Sequence, residues 1–184
     1  MAEGFRLHLI RHPKPQIDAG ICYGQREILA EIELADLRDL QSRLPAELPV
    51  WTSPLRRCHD LALALHPVPQ LDADLAEIHF GEWEGLAWDD IPRHELDAWA
   101  ADVVGYAPPG GESPRQLQAR ARQAIARINV PEAVVVTHGG VIRALLAHWL
   151  GLADDAWLTV SADFLSVTTV ELDANGRVRR VTKR

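Results

Sequence analysis

The sequence predicts an α/β fold: a three-layer α/β/α sandwich on a mostly parallel sheet with an antiparallel edge. Three observations carry this. Strand-like apolar runs at 5–10, 48–52 and 133–137 alternate with segments of helical spacing, the pattern of parallel strands joined by helical crossovers. The end of the chain reads instead as two strands, 165–172 and 177–181, joined by Asp173-Ala174-Asn175-Gly176, and Asn-Gly is a strong hairpin signal. The 184 residues are 47% hydrophobic and 24% charged, with no repeat, low-complexity tract or linker, so one domain over 1–184 is expected.

Each element follows in order. FRLHLI (5–10) alternates apolar and polar residues, as a half-buried strand does. It runs into Arg11-His12-Pro13, and a proline disfavours helical backbone at the residue before it, so His12 is expected extended at the strand end. Leu34, Leu37, Leu40 and Leu44 share one face of a helix over 33–44. After the short strand at 48–52, Ser53-Pro54 reads as N-cap and first helical residue of a helix to about Leu65. Residues 71–85 give no clear pattern, and the tryptophan-rich stretch 86–103 reads as helical in pieces. Ser113-Pro114-Arg115-Gln116 resembles a capping box, opening a helix to about Ile128. AVVVT (133–137) is a β-branched run suited to a buried strand. A helix is expected from Val141 to about Leu150.

Charge and cysteines narrow the function. The formal net charge of −7 disfavours nucleic acid as a partner. No apolar run approaches the roughly 20 residues of a membrane span, and residues 1–6 carry no signal-peptide core, so the expectation is a cytoplasmic protein without a membrane partner. Cys22 and Cys58 are too few for a disulfide framework and read as reduced thiols. The oligomeric state is not set by the sequence.

Two strand candidates end in histidine: Ile10 leads to Arg11-His12, and Thr137 to His138-Gly139-Gly140. Ligands in open α/β sheets bind beyond the carboxyl ends of the strands. If these strands are parallel neighbours, both histidines enter one crevice, with Arg11 and with Arg56 from the helix after Ser53. Two helix N-termini add N–H groups and dipole, and arginine forks match phosphate oxygens. Arg57 reads as a surface residue. Glu77, Glu82 and Glu84 compete as candidate acids, and spacing alone does not choose. His8 reads as structural. Glu77 and His79 lack the ligand count of a metal site. Trp83, Trp88, Trp99 and Tyr106 read either as a small apolar subcore or as a lid that stacks on a flat substrate.

LIRHPKP, SPLRRC, AEIHFGEWEG and VVTHGGVIR, in this order, resemble the signatures of the histidine phosphatase superfamily, the phosphoglycerate-mutase-like proteins. The resemblance implies a metal-independent phosphomonoesterase with no cofactor, acting on a small phosphorylated metabolite through phosphohistidine on His12. It makes Arg11 and Arg56 the phosphate clamps, His138 the second histidine of the pocket and Glu77 the general acid. Gly139 would offer a backbone N–H, and Tyr23 and Gln25 lie in what resembles the substrate-side loop. Glu112 and Ser113 fall in a turn the family places near the pocket. Pro13 stands where the family commonly has glycine; proline loses an N–H but keeps a carbonyl able to orient His12. RHPKP, GICYGQ and PPGGES are further similar to bacterial α-ribazole phosphatases, which implies α-ribazole 5′-phosphate as substrate and a place in cobalamin biosynthesis. A broad phosphatase, a mutase and a non-catalytic phosphate-binding module remain open alternatives.

Overall fold

The computed structural model describes residues 4–153 and 156–184; the first three residues of the N-terminal segment read above lie outside them. In chain order the elements are β1 (Phe5–Arg11), α1 (Leu34–Ser42), β2 (Val50–Thr52), α2 (Arg56–Leu65), β3 (Gln70–Leu71), α3 (Arg93–Ala101), α4 (Pro114–Ala126), β4 (Glu132–Thr137), α5 (Gly139–Leu150), β5 (Val167–Leu172) and β6 (Val178–Lys183). Short 3₁₀ turns occupy Ala73–Leu75, Gly81–Trp83, Trp88–Asp90 and Ala156–Thr159.

The sheet runs in the order β3-β2-β4-β1-β5-β6. β1, β2, β3 and β4 are parallel, whereas β5 is antiparallel to both β1 and β6. This is the α/β sheet with an antiparallel edge that the sequence predicts. Alternation of side chains splits the core in two. Leu7, Leu9, Ala133 and Val135 face Leu117, Ile125, Ile142 and Leu145 of α4 and α5. Ile10, Val134 and Val136 face Leu40 of α1 and Cys58, Leu61 and Ala62 of α2. A third cluster packs Cys22 against Trp83 and Ile91 with Phe80, Trp88, Trp99 and Tyr106 around them, in a region where patterning left 71–85 unresolved and read 86–103 as helical in pieces. Among the described residues, no helix is long and apolar enough to cross a membrane.

Several element starts differ from expectation: β2 opens at Val50 rather than Leu48, α5 at Gly139 rather than Val141 and β5 at Val167 rather than Leu165. α2 begins at Arg56 with Leu55 as its N-cap, two residues later than Ser53-Pro54 implies. Ser53 still accepts a hydrogen bond from the Leu55 N–H at 3.3 Å, but it stands outside the helix and faces the strand ends. His8, 5% exposed, has the structural role read from its alternation: its ring bridges Thr169 Oγ1 at 3.0 Å and Glu132 Oε1 at 2.9 Å.

The capping box at α4 is complete. Ser113 Oγ accepts from the Gln116 N–H, and Gln116 Oε1 accepts from the Ser113 N–H. Ser113→Ala is expected to cost about 1 kcal/mol, a fall of roughly 2–4 °C in Tm by calorimetry; an unchanged Tm would show that the cap contributes nothing.

Candidate active site

The site is built by strand register. β1 and β4 pair in parallel with Arg11 opposite Thr137, so the next residues, His12 and His138, leave the sheet at the same level. Their rings lie 5.1 Å apart, centroid to centroid, and both side chains are fully buried. The His12 N–H donates to the Thr137 carbonyl and the Ser53 N–H to the Val136 carbonyl, which extends the ladder one residue past the strands and brings Ser53 in from β2.

His12 donates through Nδ1 to the Pro13 carbonyl at 2.6 Å, leaving Nε2 buried and without a partner. That assignment leaves a lone pair on Nε2. Burial, reinforced by Arg57 and then Arg11, lowers the His12 pKa to about 3 against the Pro13 hydrogen bond, so the ring is neutral at ordinary pH. His138 is also driven well below the usual histidine range, chiefly by burial. Its Nε2 lies 2.8 Å from Ser53 Oγ and 3.3 Å from Cys58 Sγ. Burial raises the Cys58 pKa well above its ordinary value, so it is a thiol, donating to the Thr137 carbonyl at 3.4 Å. Both cysteines are free and buried.

The structure corrects the second clamp. Arg56 is on the surface, its side chain 62% exposed and 3.9 Å from Asp60. Arg57 is fully buried and turned inward. It donates to the Gly24 carbonyl at 2.6 Å and the Arg26 carbonyl at 2.8 Å, and its Nε–H has no acceptor. The reason is helical rotation: consecutive residues of α2 differ by about 100°, so the start of the helix decides which arginine faces His12. Arg11 is held by the Ala162 carbonyl at 2.6 Å and by the Phe164 ring, 3.7 Å beneath its guanidinium carbon; its Nε–H is likewise buried and unpaired.

The two glycines after His138 are explained by close approach. A Cβ on Gly139 would lie 3.2 Å from the Arg11 guanidinium, and one on Gly140 would lie 2.2 Å from Glu77 Oε1. Gly140 donates its N–H to Glu77 Oε2 at 3.2 Å, and the Ile78 N–H binds Oε1 at 3.0 Å, so the Glu77 carboxyl sits on the N-terminus of α5. The other two glutamates sort by contact. Glu82 is exposed, and Glu84 accepts from the N–H groups of Gln25 and Phe80 as a loop brace.

Glu77 is positioned by residues the sequence reading missed or placed differently. Arg120 on α4 donates to the Asp74, Ala76 and Glu77 carbonyls while paired with Glu112. Gln25 donates to the Glu77 carbonyl at 2.8 Å, so it holds the backbone rather than lining the cleft. Tyr23 does line it, 5.3 Å from the Arg57 guanidinium carbon. The cleft, about 240 Å³, opens from Arg11, Gly139 and Glu77 toward Tyr23, Phe80, Trp88 and Trp99. The aromatic segment thus does two things: Trp83, 1% exposed, anchors a subcore, while Trp88 and Trp99 stack at 6.0 Å as a cleft wall. Ser53, Arg57 and Arg120 carried no signal in periodicity, because each is recruited by tertiary contact.

The crevice thus gathers paired buried histidines with Arg11 and Arg57 at the carboxyl edge of the parallel strands. The family model described as histidine phosphatase superfamily (branch 1) matches residues 7–183. The chain belongs to this superfamily and is a phosphoric monoester hydrolase. It is 32% identical over 179 residues to a glucosyl-3-phosphoglycerate phosphatase of Mycobacterium tuberculosis, covering 83% of this chain and 78% of the relative. It is 34% identical over 162 residues to a metal-independent phosphoserine phosphatase of Arabidopsis thaliana, covering 78% and 68%. The solved native structure of a mycobacterial glucosyl-3-phosphoglycerate phosphatase superposes with TM-score 0.78 at 29% identity, covering 99% of this chain and 97% of that one.

Two predictions follow from burial. Arg57→Ala is expected to lower kcat/KM on an aryl phosphate by roughly 100-fold or more, whereas Arg56→Ala changes it by less than about twofold; the reverse order would restore Arg56 to the site. Between the ordinary value of 6.5 and about 3, the unfolded chain binds a proton at His12 that the folded protein does not. Stability is therefore lost as pH falls through this window, by about 1.4 kcal/mol per pH unit for each such histidine. Urea melts of the wild type and His12→Asn between pH 7 and 4 check this: the variant should show the shallower slope.

Proposed function

We propose that the protein hydrolyses phosphomonoesters of small metabolites without a metal, through a phosphohistidine on His12. The observation that carries this is the neutral, oriented imidazole of His12. Its partnerless Nε2 is flanked by arginines 11 and 57, whose Nε–H groups are also unpaired. Nε2 attacks phosphorus as the P–O bond to the leaving group breaks, and protonated Glu77 supplies the proton that the departing oxygen takes. In the second half, Glu77 takes a proton from water, which attacks phosphorus and breaks the P–N bond. Arg11, Arg57, His138 and the Gly139 N–H hold the three equatorial oxygens, so stabilisation is electrostatic and preorganised.

The substrates are small phosphorylated metabolites in general rather than one fixed ester. α-Ribazole 5′-phosphate rests on motif resemblance alone, and the relatives are a glucosyl-3-phosphoglycerate phosphatase and a phosphoserine phosphatase. One mycobacterial neighbour is solved as a complex with VO3, a mimic of the planar transferring phosphoryl group. The aromatic wall of Trp88, Trp99 and Tyr23 gives the leaving group an apolar surface, consistent with a small metabolite. A cytoplasmic setting and the lack of a nucleic-acid partner rest on the sequence.

Rapid quenching with a ³²P-labelled aryl phosphate in EDTA is expected to trap an acid-labile, base-stable label on His12, absent in His12→Ala. Label on a serine or carboxylate, or loss of turnover with EDTA, would overturn the mechanism.

A further inference from the structure

The cleft beyond the phosphoryl position has a second cationic feature that the reaction above leaves unused. Among the residues that line it, Arg11 and Arg143 are the basic ones. Arg11 belongs to the phosphoryl end. Arg143 lies on α5, one turn beyond Gly139 and Gly140, so it projects from the same helix face further along the cleft. Its Nε–H is fixed by the carbonyl of Val160, the residue that follows the turn Ala156–Thr159, at 2.9 Å. Among the described residues no carboxylate pairs with it, and its terminal N–H groups are committed to no protein acceptor. Trp157, in that turn and also on the cleft wall, is 7% exposed, and among the described residues its buried Nε1–H has no acceptor.

A buried indole N–H without an acceptor is costly, and native structures rarely keep one without use. A guanidinium held by one nitrogen presents its remaining pair as a fork, and a planar carboxylate matches that fork. We infer that Arg143 and Trp157 form a subsite for a carboxylate on the leaving group, selecting phosphomonoesters of small hydroxy or amino acids over counterparts that lack the carboxylate. This deepens the phosphatase reading and rests on it. Trp88, Trp99 and Tyr23 contact the body of the leaving group, while Arg143 and Trp157 read its anionic end. Such a subsite favours substrates with two anionic groups, and α-ribazole 5′-phosphate has no carboxylate to offer it.

Two matched pairs test this: phosphoserine against phosphoethanolamine, and 3-phosphoglycerate against glycerol 3-phosphate. Each pair differs only in the carboxylate. The wild type is expected to favour the carboxylate member by roughly tenfold or more in kcat/KM. Arg143→Gln is expected to bring that ratio close to one, with Arg143→Lys intermediate. Trp157→Phe, which keeps the ring and removes the N–H, should lower the ratio severalfold. A structural role for Arg143 would lower both members alike and leave the ratio, which overturns the inference. A wild-type ratio near one overturns it too. Failure of the wild type to hydrolyse even an aryl phosphate would instead overturn the phosphatase reading itself.

Discussion

The site depends on one pairing, the in-register parallel contact of β1 with β4. Because Arg11 stands opposite Thr137, both strands end at the same height and deliver His12 and His138 side by side. A one-residue slip would reverse the faces of the whole strand and send Leu7 and Leu9 to the other layer. The apolar cores on both sides therefore fix the register, and through it the spacing of the histidines. The antiparallel strand β5 completes the arrangement. The loop that feeds it carries Ala162 and Phe164, which hold Arg11 from the far side.

Burial then sets the chemistry. Two arginines beside two histidines in a water-poor crevice make a second cationic state expensive, so the imidazoles stay neutral and the arginines carry the charge. The Pro13 carbonyl decides which nitrogen bears the proton. Proline at this position gives up an N–H but keeps the contact that orients the nucleophile. Arg11 and Arg57 thus place positive charge beside His12 in a protein whose formal charge is −7.

Much of this was legible because strand ends are local events. The β-branched run 133–137, the alternation at 5–10 and the His-Gly-Gly turn each point to a strand that meets a loop or helix, and the sheet brings them together. The second clamp was not legible in the same way. Ser53-Pro54 has the chemistry of a helix start, yet α2 begins at Arg56, because Ser53 faces His138 instead. Two residues of offset at the helix start are enough to exchange the fates of Arg56 and Arg57. The choice of Glu77 over Glu82 and Glu84 was equally closed to periodicity. It follows from the approach of Gly140, more than sixty residues away in sequence. Arg120 and Trp157 act through contacts between distant elements and carry no motif of their own, and Arg143, although it ends VVTHGGVIR, was given no role by that motif.

The central claim is that His12 is a neutral imidazole, protonated on Nδ1 and bare on Nε2. Long-range ¹H–¹⁵N NMR of the histidine side chains, assigned with His12→Asn, reads both properties directly. The account predicts for His12 one pyrrole-type and one pyridine-type nitrogen, with Nε2 the unprotonated one, and no titration from pH 8 down to about 5. A doubly protonated ring near neutral pH, or a proton on Nε2, would contradict it.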